Sequence, residues 1–168
     1  MNRPQPDEYP VFFAGYIDAV SDDVIVELER QTDAFPEFLR GLTEEKADFA
    51  YAEGKWTIKE LIGHLIDTER IMAYRVMRIA RNDATPLAGF DENDYVANAH
   101  FADRNLESLA EEFALLRRTN MYLIKSFNDE EINRTGTSNG NLISVRALIY
   151  IMAGHLNHHR RIIEERYL

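Results

Sequence analysis

Residues 57–82 read TIKELIGHLIDTERIMAYRVMRIARN, and no other stretch of the chain indicates the class of fold so clearly. Apolar residues recur here at every third or fourth position, which is the spacing of one face of an α-helix. Thr57 and Glu60 have the Thr-x-x-Glu pattern of a capping box, in which each residue satisfies a free backbone group of the other. The stretch therefore predicts an amphipathic helix over residues 58–82.

Three further segments have the same spacing, and they predict helices over residues 22–42, 106–127 and 145–166. Ser21 is the expected N-cap of the first, with Asp22 and Asp23 in its first turn, and Ser144 is the expected N-cap of the last. Pro36 is expected to kink or split the first helix, because proline cannot donate a backbone hydrogen bond. Strand signals are nearly absent, so the pattern predicts an all-α four-helix bundle.

The segments outside these helices also have distinct compositions. Residues 83–102 contain Pro86, Gly89 and several acidic residues, and they predict a long crossover loop between the second and third helices. The sequence TGTSNGN at residues 135–141 predicts a break before the last helix. The first twenty residues are rich in aromatic side chains, so we expect them to form a strap across the bundle or to contribute to a dimer. Residues 1–168 are interpreted as a single domain.

Composition and charge exclude several classes of function. The chain has 168 residues and a net charge of −10, the opposite of what a protein needs to neutralise nucleic-acid phosphates or to bind an anionic membrane. It has no cysteine, which excludes disulfides, thiolate metal ligands and a cysteine nucleophile. No stretch is apolar enough to span a membrane, and no signal peptide is recognisable. We therefore expect a soluble cytoplasmic protein.

The five histidines are unevenly placed, and three of them lie close together in the last predicted helix. On a helical projection His159 falls within the apolar stripe, His155 falls at its edge, and His158 points away. Residues at i and i+4 can direct two imidazoles at one ion, and His64, beside the apolar stripe of the second helix, is the candidate third ligand. The residues alone support a metal site and ordinary core or surface histidines about equally.

Three motifs resemble those of a known family. GKWTIKELIGHLIDTER at residues 54–70 resembles the second helix of the DinB-like (YfiT-like) superfamily, AGHLNHHRR at residues 153–161 resembles its closing motif, and GFDENDY at residues 89–95 resembles a loop of one branch. The resemblance implies a four-helix bundle with a divalent metal held by His64, His155 and His159 and with open positions for water or substrate. It also implies a homodimer, and an activity of the metal-dependent hydrolases or low-molecular-weight thiol transferases.

Neutral histidine ligands suit Zn, Ni or Fe(II), and the absence of cysteine is compatible with a thiol cosubstrate from outside. Asp67 is the candidate catalytic acid or base, against an ordinary surface pair with Arg70. Three residues of the long loop are candidates for substrate binding as a lid, against ordinary turn and capping roles: Asp91, Asp94 and Tyr95. For Arg75 and Arg78, a solvated helix face is favoured over steering of an anionic substrate.

Two classes of function are carried forward. The first is a metal-dependent enzyme that acts on a small molecule, as a hydrolase or a low-molecular-weight thiol S-transferase. The alternative is a non-catalytic, dimeric metal-binding or interaction module of the same fold.

Overall fold

A computed structural model describes residues 1–20 and 23–168 of the chain and is mainly helical. The α-helices are α1 (Ala14–Asp18), α2 (Val24–Arg40), α3 (Glu44–Ala47), α4 (Ile58–Ala80), α5 (Glu92–Asn98), α6 (Leu106–Lys125), α7 (Asp129–Asn133) and α8 (Val145–Ile162). Short 3-10 turns cover Pro6–Glu8, Val11–Phe13 and Phe101–Asp103, and a π-helical turn over Ile163–Tyr167 extends α8. Two strands, β1 (Thr135–Ser138) and β2 (Asn141–Ser144), complete the fold.

The four long helices form the predicted bundle, in which α2 packs on α6, and α4 packs on α6 and α8. The capping box of α4 is confirmed, since Thr57 N–H donates to the Glu60 carboxylate and Glu60 N–H donates to Thr57 Oγ1. Ser144 is the N-cap of α8, as predicted. The predicted cap at Ser21 lies outside the described residues, and α2 begins at Val24 with Asp23 as its N-cap.

Pro36 does not split α2, which is one helix from Val24 to Arg40. Pro36 is buried, and its neighbours Phe35 and Leu39 are fully buried in the same core. Packing of this face outweighs the loss of one backbone hydrogen bond, since most helical stability in proteins comes from tertiary packing.

The core consists of two apolar clusters with polar side chains between them. One cluster contains Val76 and Leu148, and the other contains Ile62 and Phe113. Between them lie four buried side chains that we call the ion-pair network, namely Gln31, Glu69, Arg117 and Asn120. This layer ties α2, α4 and α6 together at the middle of the bundle.

The break before α8 contains a feature that the apolar spacing does not indicate. Strands β1 and β2 pair as an antiparallel hairpin, with Asn139 and Gly140 at the turn in left-handed conformations. Asn-Gly is the commonest signal for such a turn. Leu87 joins the hairpin, because its N–H donates to Thr137 O and its carbonyl accepts from Asn139 N–H. The predicted loop over residues 83–102 is thereby attached to the bundle, and it contains α5.

The N-terminal segment lies against α8. A Cβ added at Gly154 would stand 1.9 Å from the carbonyl oxygen of Tyr16, so glycine is required for this close approach. The contact places Tyr16 directly beside His155. Within the described residues, none of the helices combines the length and the apolar character that crossing a membrane requires.

Candidate metal centre

Helices α4 and α8 bring three histidines together at one point in the bundle. His64 lies in the second turn of α4, and His155 and His159 are one turn apart on α8. His64 and His155 are each only 8% exposed, and His159 is partly buried. We call His64, His155 and His159 the histidine cluster.

The ring nitrogens of the cluster face one another. The Nε2 atom of His155 lies 3.0 Å from Nε2 of His64 and 3.0 Å from Nε2 of His159. In each pair at most one nitrogen can carry a proton toward the other, because two N–H groups would repel. With the proton of each ring on Nδ1, the three imidazoles present lone pairs to a common point.

Burial keeps these imidazoles uncharged. Loss of hydration lowers the pKa of His64 to about 4 and that of His159 to about 3. Burial also lowers the pKa of His155 well below its usual value, and the neighbouring histidines act in the same direction. Near neutral pH all three rings are in the form that ligates metals.

The residues present fit a divalent metal ion. The Nε2 atom of His155 lies 3.0 Å from that of each partner, and the ligand nitrogens of all three residues lie within 4.8 Å of one another, close enough for one ion at metal–nitrogen distances of about 2.1 Å. Among the described residues, the buried side-chain polar atoms without a hydrogen-bond partner are Thr68 Oγ1 and His159 Nδ1, and both belong to this region. His64, His155 and His159 would hold the ion.

The cluster lines a cavity of about 370 Å³, a volume in the range of small-molecule sites. Aromatic rings from four parts of the chain form much of its wall: Phe12, Phe13, Tyr16, Trp56 and Phe90. The Trp56 ring lies 4.9 Å from that of His64, and the Tyr16 ring lies edge-on to that of His155 at 5.4 Å. Polar groups enter the wall at Thr68, Arg75, Glu92 and the hairpin turn.

The two other histidines lie outside the cluster. His158 is partly buried, and its ring contacts the rings of Tyr16 and His159 rather than turning a nitrogen toward the common point. His100 is exposed and has a left-handed backbone conformation before the 3-10 turn at Phe101.

Asp67, the candidate catalytic residue, is not among the residues that line the cavity. Its carboxylate pairs with Arg70 at 3.3 Å, and Arg70 also pairs with Glu112 of α6. Burial raises the pKa of the Asp67 carboxyl, and Arg70 opposes that shift. Asp67 and Arg70 form a pair within α4 that Arg70 extends to α6, and this arrangement gives Asp67 no contact with the histidine cluster.

The three candidate residues of the long loop also lie apart from the cluster. Asp91 is the N-cap of α5 and accepts hydrogen bonds from the N–H groups of Asn93 and Asp94. Asp94 is exposed. Tyr95 packs on Phe90 and lines a separate groove with Arg75. The structure thus places Asp91 in a capping role and brings neither Asp94 nor Tyr95 to the wall of the cavity.

Two residues of the cavity wall, Glu92 and Arg75, carry chemistry that the sequence interpretation did not assign to the site. Glu92, in the first turn of α5, is close enough for its charge to act on the pKa of two other residues of the wall. Burial lowers the pKa of His64 and Glu92 partly opposes that shift, whereas burial and Glu92 both raise the pKa of Tyr16.

Arg75 is only 6% exposed, so the predicted solvated face is wrong for this residue. Arg78 pairs with Asp83 and Tyr74 outside the cavity. Residues 86–90 lie next to Arg75 and contribute to its burial. The helical spacing of α4 does not reveal this contact, because these residues belong to the long loop.

Comparison with known proteins identifies related chains. The family model of the DinB superfamily matches residues 27–163, a range that contains the whole histidine cluster. Two proteins of Oceanobacillus iheyensis, both named "Putative metal-dependent hydrolase", are similar in sequence. One is 26% identical over 162 residues, 91% of this chain and 91% of the relative. The other is 25% identical over 139 residues, 79% of this chain and 77% of the relative.

A solved structure is similar in fold. YfiT from Bacillus subtilis, described as "a probable metal-dependent hydrolase with an unusual four-helix bundle topology", superposes with a TM-score of 0.71. The match covers 96% of this chain and 89% of YfiT at 16% sequence identity. It confirms the predicted four-helix bundle.

Proposed function

The chain belongs to the DinB superfamily, and from this premise we propose that it is an enzyme whose activity depends on a divalent metal held by His64, His155 and His159. The small-molecule substrate enters the cavity beside these residues. The reaction is hydrolysis of an activated bond or, as the second candidate, S-transfer of a low-molecular-weight thiol.

The approach of the His64 and His159 Nε2 atoms to Nε2 of His155, 3.0 Å in each case, is the observation that carries the proposal. Three neutral nitrogens without a carboxylate would leave a bound divalent ion strongly electrophilic, and the residues that would hold it line the cavity. A structural site would be closed by a fourth protein ligand. Among the described residues, the group with metal-ligating spacing consists of these three histidines alone.

A divalent ion held by three uncharged imidazoles is a Lewis acid that lowers the pKa of water or of a thiol. The protein must then accept the proton that the nucleophile loses. Glu92 is the acidic residue of the cavity wall, and we assign that role to it rather than to Asp67. Thr68 lies one turn after His64 and offers a buried hydroxyl without a partner to the substrate.

Thiol transfer is kept as the second candidate because of two observations. The chain has no cysteine, so a sulfur nucleophile must come from a cosubstrate. The cavity is also large enough for a small molecule beside the cluster, and its aromatic wall suits an apolar electrophile. Hydrolysis is favoured by the names of the two relatives.

Assays of the metal-loaded protein test the proposal. We expect cleavage of p-nitrophenyl esters, or conjugation of cysteine to a chlorodinitrobenzene, with Zn, Ni or Fe(II) and no turnover after metal removal. His64→Ala should be inactive and His158→Ala active, because His64 directs its ring nitrogen at the common point and His158 does not. Glu92→Gln should reduce kcat with unchanged metal content. Equal rates with and without metal contradict the proposal.

A homodimer is proposed as the form that carries this activity. Val11 and Phe12, in the N-terminal segment, are 85% and 63% exposed, and a second copy would cover such apolar side chains. Light scattering should give twice the chain mass for the wild type. A monomer mass contradicts the dimer and leaves the metal proposal intact.

A further inference from the structure

Arg75 is a buried cation in the same cavity as the histidine cluster. It lies three turns after His64 on α4, about 16 Å further along the helix axis. Side chains of a helix tilt toward its N-terminus, so the long arginine side chain leans back in the direction of His64. Arg75 is 6% exposed and lines the cavity wall.

Among the described residues, the guanidinium of Arg75 contacts uncharged groups. Nη2 donates to the Ala88 carbonyl oxygen at 2.8 Å, Nη1 faces the Met72 sulfur at 3.9 Å, and the group lies 5.8 Å from the centre of the Phe90 ring. No ion pair of Arg75 with an acidic residue exists within residues 1–20 and 23–168. Burial lowers the pKa of Arg75, the direction expected for a cation without a compensating carboxylate.

Two other arginines of the bundle have the acidic partner that Arg75 lacks. Arg117, buried more deeply, has a bidentate pair with Glu69. Arg78, one turn after Arg75 on the same helix, pairs with Asp83. A buried charge is costly unless it is paired, so a guanidinium without a carboxylate partner at Arg75 needs a function that an apolar side chain would not serve.

We propose that Arg75 binds the carboxylate of the substrate and thereby sets which molecules this cavity accepts. Its planar fork of N–H donors matches the two oxygens of a carboxylate. The inference rests on the proposed function, since the reacting part of the same molecule would lie toward the histidine cluster.

The charges and the wall of the cavity narrow the class of substrate. Arg75 is the lone lysine or arginine among the lining residues, and Glu92 adds a negative charge, so one anionic group is accommodated better than a phosphate dianion. Apart from the hydroxyl of Thr68 and the polar hairpin turn, the rest of the wall is largely apolar, with Met72, Phe90 and Ile151 among its residues. The substrate is thus a small monocarboxylic acid with an apolar or aromatic body.

Binding of phenylacetate tests this subsite, with uncharged phenylacetamide as the matched probe. Calorimetric titrations of the metal-loaded protein should show millimolar or tighter binding of phenylacetate and much weaker binding of phenylacetamide. Arg75→Met should weaken phenylacetate binding about tenfold or more, because the carboxylate loses its charged partner. Arg78→Met is the matched control, and it should bind like the wild type because its guanidinium lies outside the cavity.

Arg75→Lys keeps the charge without the planar fork, and we expect intermediate binding. Arg75→Lys also replaces Arg75→Met as the test variant if Arg75→Met does not fold. Metal content and thermal melting show whether each variant is folded. Wild-type affinity in both Arg75 variants overturns the proposal, as does failure of wild type to bind phenylacetate at millimolar concentration. Tighter binding of phenyl phosphate than of phenylacetate overturns the carboxylate assignment.

Two outcomes separate this inference from the proposed function. If phenylacetate binding is lost on metal removal but kept in Arg75→Met, the carboxylate sits at the metal and the Arg75 subsite is wrong. If wild type takes up no metal and yet binds phenylacetate through Arg75, the proposed metal function is wrong and the subsite stands.

Discussion

Two polar clusters meet inside this bundle, and they are satisfied in opposite ways. In the ion-pair network Arg117 donates to both oxygens of Glu69 at 2.6 and 3.0 Å and to Gln31 at 2.6 Å. The side-chain amide of Asn120 also donates a hydrogen bond to the Glu69 carboxylate. Donors there face acceptors. In the histidine cluster, like groups face like groups, and no described acidic residue is paired with them.

The two clusters also differ in the volume of the empty space beside them. The void that touches Glu69 and Arg117 is about 10 Å³, which is at most one water molecule. The cavity at the histidine cluster is about 370 Å³. Burial of polar groups therefore does not by itself mark a functional site. A mismatch of donors and acceptors beside open space does, because it can be resolved only by something from outside the chain.

The ion-pair network should account for the largest loss of stability. Arg117→Met leaves the Glu69 carboxylate buried without its cation, and we expect the free energy of unfolding to fall by about 3–5 kcal/mol. Arg118→Met is the control, since its pair with Asp33 is exposed and should contribute almost nothing. Urea unfolding measures both. Similar small losses in the two variants would show that the network is not a structural tie.

The histidine cluster should instead be stabilised from outside. A divalent ion at a free concentration a hundredfold above its Kd should raise the free energy of unfolding of wild type by about 2.7 kcal/mol. His155→Ala should gain nothing, because it lacks the nitrogen that both other ligands approach. His158→Ala should gain as much as wild type. Equal gains in all three proteins would refute the ligand assignment.

Acid should destabilise the metal-free protein through the same cluster. The folded-state pKa values of its histidines lie below the unfolded value of about 6.5, at about 4 for His64 and about 3 for His159. The unfolded chain therefore binds protons first as the pH falls, and stability decreases from about pH 6.5 downward, by up to about 1.4 kcal/mol per pH unit for each histidine.

Urea unfolding at neutral and mildly acidic pH, with chelator present, measures this slope. His155→Gln should show a shallower dependence than wild type, since it has one fewer suppressed proton site. An identical slope would mean that the histidines do not control the acid response.

The smallest expected effect concerns one hydroxyl. Thr68→Val removes a buried oxygen that has no partner, so the metal-free protein should become more stable by up to about 1 kcal/mol. Thr32→Val is the matched control, because Thr32 Oγ1 donates to the Leu28 carbonyl at 2.9 Å and its loss should not stabilise. Thermal melts of both variants distinguish the two environments. Destabilisation by Thr68→Val would show that the hydroxyl is already satisfied.

Local patterns were sufficient for the bundle and for the pairing of His155 with His159. Apolar spacing and the caps at Thr57 and Ser144 are encoded within a few residues, so they predict helices directly. The i, i+4 spacing on α8 is likewise local. The helical projection made His64 a candidate third ligand, and the family resemblance favoured it, because nothing in one helix specifies its neighbour.

Long-range contacts explain what the sequence could not reveal. The pair of Glu69 and Arg117 joins α4 to α6 and depends on how those helices pack. The burial of Arg75 depends on a loop that the hairpin holds in place. The hairpin itself had a usable signal in Asn139-Gly140, which helical spacing does not take into account.

Metal content is the measurement that tests the central claim most directly. Mass spectrometry should be applied to protein purified without an affinity tag or chelator, in parallel with His155→Ala. The account predicts about one equivalent of Zn, Ni or Fe per wild-type chain and background metal in the variant. Wild-type protein that carries no metal, and takes up none on titration with any of the three ions, would contradict it.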